Sequence, residues 1–267
     1  MLPHAADSIA RDGKILILAY DHGLEHGPVD FEPNPETADP EAIFELGTHD
    51  AVTAVAVQKG IAEAYYPDYA DDVNLLLKMN GTSNLWMGEP DSPINCTPEY
   101  AKDLGASAVG FTLYGGSNHE VEMAEEFREV QEGAREHDMG VVMWSYPRGQ
   151  GVKNDTAADT IAYATRLGLE LGADVTKVKY PGSMKAMAHA VEMAARSKVV
   201  MSGGSKTDDA AFLEMVEAAM DAGADGLAVG RNVFQRENPT EILDALEAVV
   251  FEGATADEAL ALAEAAN

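Results

Sequence analysis

The 267 residues carry 46 acidic against 18 basic side chains, a formal net charge of −28, with 46% apolar residues. That balance excludes non-specific binding to nucleic acid or anionic membranes, and no run of 18 apolar residues offers a membrane span. Self-repulsion at this charge is relieved by screening, so the composition suits a salt-rich cytoplasm, as in halophilic microbes. The first residues lack the charged and apolar regions of a signal peptide. Cys96 is the sole cysteine, so no internal disulfide forms, which again suits a cytoplasmic protein. Three Asn-x-Thr sequons at Asn80, Asn95 and Asn154 read as chance matches.

Eight apolar, β-branched runs follow one another at 14–21, 51–60, 74–81, 106–114, 140–148, 174–180, 198–204 and 225–231. Segments of helical periodicity separate most of them. Cap signals open several of these, as at Thr97-Pro98-Glu99, Asp155-Thr156-Ala157 and Thr207-Asp208-Asp209. Residues 120–138 and 210–222 form long amphipathic stretches, and the Ala/Glu-rich tail reads as a last helix. Leu104-Gly105-Ala106, Leu171-Gly172-Ala173-Asp174 and Ala222-Gly223-Ala224-Asp225 repeat one joint, a helix ended by glycine before a strand. Strand then helix, eight times, predicts an α/β fold: a (β/α)₈ TIM barrel, one domain over 1–267. An open doubly wound sheet is the alternative, but no Gly-x-Gly-x-x-Gly follows the first strand.

The chemistry of such a barrel collects at the C-terminal ends of its strands. Polar residues stand there at Asp21-His22-Gly23, Lys59-Gly60, Asn80-Gly81, Tyr146-Pro147-Arg148, Lys177 to Lys179, Ser202-Gly203-Gly204 and Gly230-Arg231-Asn232. Only ten lysines occur in the chain, yet two lie two apart in the sixth run. Side chains alternate along a strand, so Lys177 and Lys179 share a face, with Lys177 deeper. Desolvation lowers a buried amine's pKa and makes it a nucleophile, which predicts Schiff-base chemistry at Lys177. Lys179, at the rim, suits an anionic substrate. The bland reading is a pair of snorkelling or salt-bridged lysines, with Asp21 as a partner.

In the fifth run Trp144, Tyr146 and Arg148 fall on one face. Tyr146, beside a protonated amine or iminium, is expected to have a lowered pKa and to shuttle protons. Trp144 would form a platform for a sugar chain. The loops Ser202-Gly203-Gly204 and Gly230-Arg231 offer backbone N–H groups and basic charge to a phosphate. Asp21 would hold a substrate hydroxyl or balance the lysines. His22-x-x-Glu25-His26 spells an inverted zinc-protease pattern, but Gly23, Gly27 and Pro28 are expected to break the helix it needs, so no metal site is assigned.

These residues resemble the archaeal-type class I fructose-1,6-bisphosphate aldolases. The likeness rests on Ile17-Leu18-Ala19-Tyr20-Asp21-His22-Gly23 with Glu25-His26-Gly27-Pro28, on Trp144-Ser145-Tyr146-Pro147-Arg148-Gly149, and on Lys177-Val178-Lys179-Tyr180. Met201-Ser202-Gly203-Gly204 with Lys206-Thr207, and Ala228-Val229-Gly230-Arg231-Asn232-Val233, complete it over residues 13–236. The resemblance implies metal-independent cleavage of fructose 1,6-bisphosphate to dihydroxyacetone phosphate and glyceraldehyde 3-phosphate, with no cofactor. It implies Lys177 as the Schiff-base lysine, Tyr146 for proton transfer and Asp21 as the mouth carboxylate. Ser202, Gly203, Gly204, Gly230 and Arg231 would hold one phosphate; Arg148, Lys179 and Lys185 are candidates for the other. It also implies a large homo-oligomer, often a decamer. Lys59 stands where arginine is common in the family, and Pro181 where threonine is usual. Two alternatives remain: a 2-amino-3,7-dideoxy-heptulosonate synthase, which resembles these aldolases and runs a transaldolase-like step, and a non-catalytic barrel, either a phosphosugar-binding or a structural assembly protein.

Overall fold

Successive side chains in each strand face two apolar environments, as a parallel sheet covered on both sides requires. A computed structural model describes residues 5–265. Its strands are β1 (Ile15–Ala19), β2 (Ala54–Gln58), β3 (Leu75–Lys78), β4 (Ala108–Leu113), β5 (Gly140–Ser145), β6 (Val175–Lys179), β7 (Lys198–Ser202) and β8 (Gly226–Val229). They pair in parallel and in chain order, and β8 returns to β1 to close the barrel. The eight runs read from sequence are all present, each trimmed at one or both ends.

The helices before β4 are α1 (His22–Glu25), α2 (Pro40–Gly47), α3 (Lys59–Tyr65) and α4 (Pro98–Asp103). Those after it are α5 (Glu120–Glu136), α6 (Ala158–Leu171), α7 (Met184–Ala194), α8 (Asp209–Asp221), α9 (Arg231–Phe234), α10 (Pro239–Glu247) and α11 (Ala256–Ala265). Outward strand residues such as Leu16, Val55, Leu77, Phe111, Met143, Val178 and Val199 pack under the helices. Inward residues form a second core of Ile15, Ile17, Leu76, Val142, Trp144, Val175 and Val200. Ile9, from a 3-10 turn at Ala5–Ile9, fills the floor of that interior.

The glycine joints form as expected: Gly105, Gly172 and Gly223 all adopt φ near +90°, the left-handed turn that glycine enters without a Cβ clash. At two of them the following aspartate braces a neighbouring strand. Asp174 accepts from the Val141 N–H and Asp225 from the Val199 N–H. Thr97 and Asp208 cap α4 and α8 through their side chains.

Two local expectations are corrected. Residues 22–25 do form a helical turn, since Gly23 is tolerated within it; Gly27 and Pro28 only end it. The start of α6 has no side-chain cap, because the helix begins at Ala158 and its N-cap is Ala157, while Asp155 lies outside it and pairs with Lys179.

Candidate active site

A cavity of about 480 Å³ opens at the C-terminal ends of the strands. Its lining comes chiefly from the β1, β5, β6, β7 and β8 ends. It includes Asp21, Trp144, Tyr146, Arg148, Lys177, Lys179, Ser202, Gly203, Gly204, Gly230 and Arg231. All eleven site residues read from sequence therefore face one space. Lys185, exposed at the start of α7, is not part of this wall.

Lys177 projects inward from the middle of β6, in register with Trp144 on one side and Val200 on the other. It is 96% buried, and among the described residues its Nζ makes no hydrogen bond or ion pair. The nearest aromatic partner is the Trp144 ring, 4.8 Å away at its centroid. Burial pulls the amine down to about 8, against the opposing pull of Asp21 and Glu25. A useful fraction is then neutral, hence nucleophilic, near neutral pH. Lys179, one inward position higher, pairs with Asp155; that hydrogen bond lowers the Asp155 carboxyl.

Asp21 is almost fully buried just beyond β1. Burial opposes its ionisation, but Lys78 and Lys177 overcome this and hold the carboxyl well below the carboxylate range. Its main partner is Lys78, with Nζ 3.4 Å from Asp21 Oδ2 and 2.8 Å from Glu25 Oε1. The sequence reading overlooked Lys78. The signal was nevertheless present, since Leu75-Leu76-Leu77-Lys78 places a lysine in an apolar strand as plainly as β6 does. A Cβ at residue 110 would lie 2.5 Å from Trp144 Cζ3 and 3.4 Å from Lys78 Cδ, so Gly110 makes room for both.

Tyr146 departs from expectation. Its phenol is raised, not lowered, by burial first and by the Asp21 carboxylate next; a hydrogen bond from Ser202 and the Arg148 charge only partly compensate. The fold by itself therefore holds Tyr146 as a neutral phenol. Trp144 is 1% exposed and forms the cavity floor beneath the amines rather than an open shelf.

The β7 and β8 loops meet at Asn232, which is wholly buried. Its amide donates to the carbonyls of Gly203 at 2.7 Å and Ser205 at 3.0 Å, and its Oδ1 accepts from the Thr207 N–H. That tie fixes two small-residue loops side by side, with Arg231 beside them. Gly230 is required there: a Cβ would meet the His22 ring at 2.3 Å and the Ala19 carbonyl oxygen at 2.5 Å. Beside these loops, Arg148 and Lys179 bring cationic side chains to the adjoining β5–β6 wall, with Lys179 in register with Ser202.

Two of the polar strand ends serve structure instead. Asn80 donates to Ser92 and Thr112 carbonyls, each at 2.8 Å, and Lys59 donates to the Asn95 carbonyl at 2.7 Å. Among the described residues, His22, His26 and Asp30 are the one group whose ligand atoms lie within 4.8 Å of one another. His26 Nδ1 and Asp30 Oδ2 are already hydrogen-bonded at 2.7 Å, and Arg231 Nε stands 3.9 Å from that oxygen. Burial, with Lys177, His26 and Arg231 nearby, lowers the His22 imidazole to about 4 despite Asp21. The group is a polar wall of the cavity, and Glu25 turns to Lys78 instead.

Residues 15–236 match the profile of the DeoC/LacD family aldolases, over more than half of the chain. The chain belongs to that family. Within it, the chain is 72% identical over 260 residues to a class 1 fructose-bisphosphate aldolase of Halobacterium salinarum, covering 97% of this chain and 99% of that one. It also superposes with a TM-score of 0.89, at 48% identity, on an archaeal fructose-1,6-bisphosphate aldolase solved with its catalytic lysine covalently bound to the carbinolamine intermediate of the substrate. That match covers 92% of this chain and 97% of the other. A 2-amino-3,7-dideoxy-D-threo-hept-6-ulosonate synthase of Halobacterium salinarum is 34% identical over 255 residues, 96% of this chain and 93% of its own.

Proposed function

We propose that this aldolase reversibly cleaves fructose 1,6-bisphosphate to dihydroxyacetone phosphate and glyceraldehyde 3-phosphate, as a class I, Schiff-base enzyme of glycolysis and gluconeogenesis. The observation that carries the reading is Lys177: a buried, unpaired amine held near pKa 8 in a cavity flanked by small-residue loops and Arg231.

The neutral Lys177 amine adds to the C2 carbonyl, and loss of water gives an iminium. Breaking the C3–C4 bond then sends its electron pair into the iminium, leaving an enamine, while the C4 hydroxyl gives up its proton and departs as an aldehyde. Tyr146 is assigned to that proton. Its phenol starts neutral, but iminium formation puts a permanent cation into the cavity, which opposes the effect of Asp21 and favours the phenolate. The same group returns the proton to C3, and hydrolysis of the resulting iminium frees the second product. Asp21, held ionised, is placed to accept from a substrate hydroxyl. Phosphates held on the β7–β8 loops and toward Arg148 and Lys179 would fix the register of the chain between them.

The synthase alternative has less support, since the relative of that name is 34% identical against 72% for the bisphosphate aldolase. The acidic composition fits a salt-rich cytoplasm, in keeping with a relative from Halobacterium. No helix among the described residues is long and apolar enough to cross a membrane. We also infer one catalytic domain over 1–267 and a large homo-oligomer; light scattering would give its mass. Borohydride reduction in the presence of fructose 1,6-bisphosphate tests the chemistry. The adduct should map to Lys177, and cleavage should survive EDTA. An adduct on Lys179, or none, would overturn the assignment.

A further inference from the structure

The mechanism leaves one buried amine without a task. Lys78 is wholly buried at the end of β3, after three leucines. Its Nζ reaches Glu25 Oε1 at 2.8 Å, Asp21 Oδ2 at 3.4 Å and the Asn80 carbonyl at 3.4 Å, and lies 5.2 Å from the Trp144 ring centroid. Lys177 Nζ stands 4.8 Å from that same centroid. Both amines thus share one indole, and both act on Asp21. Asp21 and Glu25 line the cavity, whereas Lys78 lies behind them.

The Lys78 ammonium has three donors, and two of its three acceptors are carboxylates that line the cavity beside Lys177. We propose that Lys78 is a positioning residue for the aldol cleavage, a fixed cation that holds Asp21 and Glu25 at the reacting centre and offsets their pull on the proton of the neighbouring Lys177 amine. The inference rests on the reading of Lys177 as the nucleophile.

The groups facing Lys177 show why a cation is needed there. Asp21, His22 and Glu25 come from the segment after β1, Lys78 from β3, Trp144 and Tyr146 from the β5 end, Ser202 from β7, and Arg231 from the segment after β8. Burial is the main force on the Lys177 amine. Among the charges, Asp21 and Glu25 favour its ammonium form, while Lys78 and Arg231 oppose it. Without Lys78 two carboxylates, buried Asp21 and half-buried Glu25, would face Lys177 with one fewer cation between them. The ammonium would then persist to higher pH and the nucleophile would be lost at neutral pH. The Lys78 charge is itself secure. Burial works against it, but Glu25 and Asp21 raise its ammonium above the ordinary lysine range.

The test compares Lys78→Met, Glu25→Gln and the double variant with the parent chain. It measures fructose 1,6-bisphosphate cleavage and borohydride trapping at Lys177 across pH. For Lys78→Met, the acid limb of both profiles should move up by about one pH unit or more, cutting activity near pH 7 by about tenfold. Glu25→Gln should move the limb down, and the double variant should fall between the two singles. Should Lys78→Met fail to fold, Lys78→Gln, which removes the charge but keeps a hydrogen-bond donor for Glu25, takes its place, with the same upward shift expected and an unmoved limb overturning the role. A structural role would lower the rate or the thermal midpoint without moving the limb in opposite directions. Limbs that stay put, or shift the same way, would overturn the role of Lys78 while leaving Lys177 as nucleophile. A parent chain that forms no adduct at Lys177 would overturn the nucleophile assignment and this inference with it.

Discussion

At the floor of the barrel, Ile9, Ile15, Ile17 and Val175 are wholly buried among one another. One turn of the pleat higher, the same interior holds Asp21, Lys78 and Lys177, almost equally buried. Each floor side chain contributes about 1.5–3 kcal/mol by leaving water. Each charge above must be compensated, and here the compensation is unequal. Lys78 has two carboxylates, whereas Lys177 has no partner and holds its proton less tightly instead. One end of the barrel supplies stability, and the other spends part of it on a reactive amine.

Replacing Lys177 with Met should separate the two ends most sharply. Cleavage should fall to below about 10⁻³ of the parent, with no borohydride adduct, as loss of a covalent nucleophile does elsewhere. Stability should move the other way. The folded amine titrates near 8 against the ordinary lysine value of 10.5, so below pH 8 both states bind the proton and folding carries the full burial penalty. From 8 to 10.5 the unfolded chain binds more protons and the penalty fades. Denaturant melts should show the variant more stable at pH 7 by up to about 3 kcal/mol, with the gap closing as pH climbs through that window. A variant less stable than the parent at pH 7 would contradict this division.

Tyr146→Phe should lower kcat by about 10²–10⁴-fold while leaving the Lys177 adduct able to form, since it removes a proton carrier and not the nucleophile. Equal loss of trapping and turnover would place Tyr146 earlier in the reaction. At the floor, Ile17→Ala should cost about 2–5 kcal/mol in chemical denaturation and leave the pH profile of cleavage unchanged. A shifted profile would mean that the two ends are coupled. Last, the thermal midpoint should rise from dilute buffer to molar potassium chloride, because a net charge of −28 repels itself and salt screens it. That effect should act on the whole barrel and be similar in the Lys177 and Ile17 variants.

Much of this division was legible in the chain. Alternating apolar runs, glycine joints and cap signals gave all eight strands, because those local rules operate before any tertiary contact forms. Lys177 was legible too, as a lysine with no reason to be in a strand. Tyr146 was placed correctly but its ionisation was not. The sequence put it beside a lysine, while the fold surrounds it with low-dielectric packing and the Asp21 carboxylate from β1. The turn at His22–Glu25 was missed because glycine propensity is a weak prior against a Tyr20–Asp21 entry fixed by the barrel.

Periodicity and composition by themselves determined that this chain closes eight βα units around an apolar interior and carries a buried lysine on the sixth strand. They could not say which charge that lysine would meet. Asp21 follows β1, Lys78 ends β3 and Glu25 sits in the turn after β1, and nothing in the linear chain joins β1 and β3 to β6. Barrel closure does so. Electrostatic interactions depend on distance and burial rather than on position along the chain, so the partner of Asp21 is Lys78, and Lys177 is left free to react.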